Sequence, residues 1–138
     1  MRCNDRSMIL RLTKEILLDS PISRLGAAFA TGVALVYGLP LSTGKVKRHN
    51  SLIVLRGLLN WAFKRGGVCV GRVYLTNQNV SARVLKHEEV HVRQWRRYGM
   101  LFPILYAFAG ANPLKNRFEI EAGLEDGGYV RRGSKVGR

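Results

Sequence analysis

Acidic residues are what this sequence has least of. Nine Asp and Glu stand against 23 Lys and Arg, a formal net charge of +14, and no acid occurs between Asp19 and Glu88. A field of that sign favours anionic partners: nucleic acid, anionic lipid or an acidic substrate. A basic surface with no dedicated partner accounts for it equally well. The cations are not interleaved with aromatics and form no RNP-like motif, so no specific nucleic-acid module is read. Cysteine is also scarce. Cys3 and Cys69 lie far apart with no CxxC spacing, which excludes a disulfide framework and a cysteine-based zinc knuckle and fits a reducing compartment. Histidine occurs three times, at 49, 87 and 91, and no internal repeat is visible.

The 138 residues, 46% of them hydrophobic, suffice for one domain with its own core. One run is conspicuous. Leu25 to Leu41 carries no charge over 17 residues, at the lower edge of what spans a bilayer. The 24 residues before it are too long for a signal peptide's n-region and contain Asp5, Glu15 and Asp19. A buried core helix is the first reading; a membrane anchor and an export signal are the alternatives. If it spans, the seven basic residues from Lys45 to Arg72, with no acid among them, keep the C-terminal part cytoplasmic. The expected location is therefore cytoplasmic, with membrane association through 25–41 as the variant.

Apolar spacing predicts helices over 8–18 and 22–38, broken at Ser20-Pro21. Residues 39–50 read as a basic loop in which His49 is unremarkable. Leu52–Leu55 reads as a short strand, followed by a helical turn around 58–64 whose Trp61 and Phe63 are packing residues. Val68, Val70, Val73 and Tyr74 read as strand, with Gly71 at a bulge or tight turn. Residues 76–79 supply N-cap candidates for a helix over about 80–98, ended by Gly99. An apolar helix over 101–109 and a third opening at Asn112-Pro113 and running to about 125 complete the chain.

The chemistry concentrates in His87-Glu88-Glu89-Val90-His91. Histidines four apart on a helix share a face one turn apart, so both imidazoles reach one ion. Zinc accepts imidazole nitrogens, and a catalytic site keeps a position for water. Glu88, directly after the first histidine, lies beside that water, placed to take its proton. Glu119 is the leading third ligand and Glu121 the fallback; these are the only carboxylates between Glu89 and Glu125. Asn116 and Glu119 also have capping-box spacing, which explains Glu119 locally instead. Gln94 reads as an exposed side chain, with orientation of His91 as the alternative, and Val84, Leu85, Val92 and Trp95 read as the core stripe of the helix.

HEEVH followed by FEIEA resembles the gluzincin metallopeptidases, in which HExxH gives two ligands and a glutamate on a later helix, often within E-x-x-A-[DG], gives the third. On that pattern Glu119 aligns with the ligand and Ala122-Gly123 with the A-[DG] pair. Many members carry an Asp at the latter position to orient a histidine, and Gly123 has no side chain to do so. The resemblance covers about residues 67–123, and the length is similar to that of the single-domain minigluzincins or of other small HExxH proteins. It implies a zinc cofactor, a peptide or protein substrate, Glu88 activating water, and an oxyanion donor for which Tyr98, Tyr106 and Tyr129 are candidates. The strand over 68–76 would pair with an extended peptide.

The expected architecture is α+β: a short antiparallel sheet from residues near 51–56 and 67–76, covered by the HExxH helix and a C-terminal glutamate helix. Residues 1–44 form an N-terminal helical and hydrophobic segment, 45–126 the zincin-like metal-binding domain, and 127–138 a basic flexible tail. The competing function is a non-catalytic zinc-binding protein whose basic surface binds nucleic acid or an anionic membrane.

Overall fold

The computed structural model describes residues 3–43, 46–58 and 66–133. Helix α1 (Cys3–Leu17) is followed by a sharp break in which Asp19 takes a left-handed φ of 51°. Ser20 then caps α2 (Pro21–Leu41): its hydroxyl accepts from the Ser23 N–H, the Ser23 hydroxyl accepts from the Ser20 N–H, and Pro21 sits where no intrahelical donor is needed. The buried positions of α2 are Ser23, Ala27, Ala30, Ala34 and Gly38, a stripe of small residues three or four apart that lets the helix lie close on what it covers.

What α2 covers is a four-stranded sheet in the order β1-β2-β4-β3, with β1 at Lys47–His49, β2 at Leu52–Leu55, β3 at Gly67–Val70 and β4 at Val73–Thr76. The class is α+β as expected, but the sheet is mixed where the sequence predicts an antiparallel one. β1 pairs antiparallel with β2 and β3 with β4, while β2 and β4 run parallel in register from Ile53↔Val73 to Leu55↔Leu75. The composition of the strands accounts for their places. Leu52–Leu55 and Val73–Thr76 are nearly continuous apolar runs, and they take the two central, doubly covered positions. Lys47-Arg48-His49 is charged and short, a protected edge. The predicted turn around 58–64, with Trp61 and Phe63, lies outside the described residues beyond Leu58.

The β3–β4 hairpin turns through Gly71, which has φ +61° and lies so close to α2 that a Cβ would sit 2.3 Å from the Thr31 hydroxyl and 2.8 Å from the Ala27 carbonyl. Only glycine fits both constraints. The Thr31 hydroxyl in turn accepts from the Arg72 N–H at 3.0 Å. Ala27 and Ala30 join Leu52, Val54, Tyr74, Val84, Val92, Trp95, Phe102 and Phe118 in the main core, and Ala34 joins Leu55, Leu58, Val73 and Leu75 in a second cluster.

Helix α3 (Ala82–Tyr98) starts at Ser81, whose hydroxyl accepts from the Val84 N–H, rather than at residues 76–79. It stops at Gly99, where a 3₁₀ turn (99–101) leads into α4 (Phe102–Phe108). The last helix is shorter than its pattern suggests: α5 is Arg117–Ala122, because Asn112 to Lys115 are taken up by a turn closed by the Asn112 side chain.

Candidate metal centre

The period of α3 sets the site. Its buried residues are Val84, His87, Glu88, His91, Val92, Gln94 and Trp95, so the chemical residues lie on the same face as the core stripe. The Trp95 indole donates to the Cys69 carbonyl at 3.0 Å, tying that face to β3. Helix α5 meets α3 with Glu119 pointing at the histidines. Asn116 caps α5 by accepting from the Phe118 N–H at 3.0 Å and donates to the Tyr106 and Gly110 carbonyls. The reciprocal half of a capping box is not made: the Asn116 N–H donates to Asn112 at 2.9 Å, and the Glu119 side chain is turned inward.

There Glu119 Oε2 lies 3.1 Å from His87 Nε2 and Oε1 3.5 Å from His91 Nε2, and the two Nε2 atoms are 3.1 Å apart. One donor atom from each residue falls within 4.8 Å of the others, and all three residues are buried. Glu121 takes no part in this cluster. Its Oε2 accepts from the Gln94 amide instead.

The surrounding hydrogen bonds fix both imidazole tautomers. His87 Nδ1 faces the Gly123 carbonyl at 2.9 Å, and a carbonyl only accepts, so this nitrogen carries the proton. The Gln94 amide nitrogen donates to the Phe118 carbonyl and to Glu121, both at 3.1 Å. Its Oε1 therefore faces His91 Nδ1, at 2.7 Å, and that nitrogen too carries the proton. Two Nε2 lone pairs and a carboxylate then converge on one point. Three acceptors cannot share a buried space without a cation, either a proton or a metal. A donor set of two neutral imidazoles and one carboxylate is what a zinc site with an open position uses, and the residues fit such an ion.

With a proton shared in the cluster in place of a metal, burial would raise the Glu119 carboxyl, but hydrogen bonds with His87, His91 and Tyr106 outweigh it and hold it well below the usual carboxylate range. Burial would lower His91, but the Glu119 hydrogen bond and the Glu88 charge turn the shift upward. Glu88 is pushed up to about 7, chiefly by burial, against the pull of the two histidines.

Glu88 shares with the cluster a cavity of about 450 Å³ lined on its other sides by Gly67, Val68, Val70, Trp95, Phe102 and Tyr106, among others. Of the tyrosine candidates, Tyr106 and Tyr129 border this cavity and Tyr98 does not; Tyr98 stacks on Phe102 in the core. The Tyr106 hydroxyl donates to Glu119 Oε1. Tyr129, 44% exposed, has its phenol pushed up to about 12 by burial and the Glu119 charge, so it stays a donor. Its place follows from a loop folded back over α3. Arg83 and Lys86 each pair with Asp126 at 3.3 Å, and Gly127 sits so near His87 that a Cβ would be 2.7 Å from its Cε1. His49 stands apart from the cluster, 3.6 Å from Glu89.

Two supports are hard to see in sequence. Gln94 is 2% exposed, not a surface residue; its spacing three after His91 was the available signal. The partner of His87 is the backbone of Gly123, so the missing Asp side chain leaves no gap in the shell around that histidine. Comparison of the chain with protein-family models, with curated proteins and with solved structures yields no match.

Proposed function

We propose that the protein is a small zinc-dependent hydrolase of peptide bonds, of the kind the minigluzincins represent. The observation that carries this reading is the shared cavity: three converging donors and a separate buried carboxylate, Glu88, open onto the same space. His87, His91 and Glu119 would hold the ion. When bound, zinc supplies Lewis acidity, polarising a carbonyl and making water a stronger acid.

The remaining steps belong to side chains of this chain. Glu88 accepts a proton from water entering the cavity and hands it on to the leaving amine. Its low water exposure sharpens that role, because a carboxylate in an apolar pocket is a stronger base than one in solvent. Tyr106 and Tyr129 both border the cavity and both hydrogen-bond Glu119; Tyr129, the more exposed of the two, is the hydroxyl freer to turn toward charge developing on the carbonyl oxygen. The cavity wall includes Gly67–Val70, the strand that ends the sheet. An extended peptide can add to that edge by main-chain hydrogen bonds, with an apolar side chain directed among Val70, Phe102 and Trp95.

Metal analysis and a peptide-library assay test the reading together. The wild type should bind one zinc and cleave peptides; His87→Ala and Glu119→Ala should lose the metal. Glu88→Gln should keep the metal and lose hydrolysis by a factor of about 10² or more. Zinc binding without hydrolysis of any peptide would instead make it a metal-binding protein without catalysis.

A further inference from the structure

Among the described residues, nothing packs on the outer face of α2. Along the whole helix the small stripe from Ser23 to Gly38 is spent on the sheet and α3. On the other side Val36 is 79% exposed, Leu25 72%, Phe29 62% and Val33 51%. Helix α1 adds Met8, Ile9, Leu12 and Ile16, each about half exposed or more. Soluble monomers rarely leave so much contiguous apolar surface in water.

We infer that this face lies on an anionic lipid bilayer, in the plane of the interface. Charge selects that occupant. The uncharged run is bracketed by Arg24 on one side and Lys45, Lys47 and Arg48 on the other, and α1 carries Arg6, Arg11 and Lys14 against Asp5 and Glu15; no acid occurs from Ser20 to His87. Cations flanking an apolar helical face reach anionic headgroups while the face sinks among acyl chains. A second copy would bring two chains of net charge +14 together edge to edge, which is repulsive.

The structure also decides between lying and spanning. By length and composition, residues 7–41 are apolar enough to cross a membrane, but the helix breaks at Asp19–Ser20. A spanning α2 would need lipid on all sides. Its inner stripe is packed instead against Leu55, Leu75 and the Gly71 hairpin, with a would-be Gly38 Cβ 2.7 Å from the leucine methyls. Inserting it would drag Arg72 and the sheet into hydrocarbon, at about 2.5–3.5 kcal/mol for each arginine at mid-depth. The inference is independent of what the metal centre does.

Flotation of the 138-residue chain, with and without added zinc, tests it, using vesicles of phosphatidylcholine alone or mixed with phosphatidylglycerol. The protein should float with the mixed vesicles and far less with the neutral ones. A Val33→Glu, Val36→Glu double variant should lose at least about tenfold in partitioning, with zinc content and far-ultraviolet circular dichroism unchanged. No flotation, equal flotation of the variant, or a dimer in light scattering that the variant disperses would each overturn the inference.

Discussion

The Gln94 amide holds three groups at once: it accepts from His91, donates to the α5 backbone at Phe118, and donates to Glu121. That fixes which His91 nitrogen faces the cluster. Replacing it by leucine keeps the volume but strands the His91 Nδ1–H in a buried place and frees the ring to turn. Zinc affinity of Gln94→Leu should fall by about 10–100-fold, the usual cost of losing the partner of a ligating histidine, as read by competition with a chromophoric chelator. Glu121→Ala, which removes only the exposed partner of the amide, should fall much less. His87 offers no equivalent handle, because a main-chain carbonyl survives any substitution at Gly123.

Elements differ in how plainly the sequence announces them. Helix α3 is legible because its apolar period and its glycine stop agree, though its cap is Ser81 and not one of residues 76–79, and His87, Glu88 and His91 fall on the buried side of that period. Glu119 is legible as a carboxylate on a later helix, but only the turn of its side chain away from the Asn116 cap separates ligand from cap. β1 is not legible at all: Lys47-Arg48-His49 has no apolar residue, and it is a strand only because β2 offers an open edge. The parallel β2–β4 pairing is equally hidden, since pairing depends on the path between strands rather than on either strand. Gly71 is the element-scale hinge of this arrangement, where the β3–β4 hairpin touches α2. Gly71→Ala forces a left-handed alanine and pushes its Cβ into the Thr31 backbone, with the nitrogen 2.6 Å away. Strain and overpacking together should cost about 2–4 kcal/mol, seen as a lower urea midpoint with an unchanged slope. Zinc affinity of the variant that remains folded should be unaltered, since α2 supplies nothing to the cluster.

For the molecule as a whole, the candidate metal site and the core are one object. His87 and His91 sit on α3, Glu119 on α5, and the loop after α5 is held to His87 through Gly123. Unfolding separates all of them, so an ion that binds the folded chain and not the unfolded one stabilises the fold by mass action. At a free zinc concentration of about 100 times Kd, the gain is about 2.7 kcal/mol. For a chain of this size that is an upward shift in Tm on the order of 10 °C, measurable by thermal circular dichroism with and without chelator. Magnesium should produce little shift, because it favours oxygen donors and the cluster offers two nitrogens. His87→Ala should abolish the zinc shift by removing a donor. Glu88→Gln should retain it in full, because Glu88 borders the cavity without belonging to the cluster. A Glu88→Gln protein that no longer responds to zinc would move Glu88 from base to ligand, and the proposed division of labour between the two glutamates would fail.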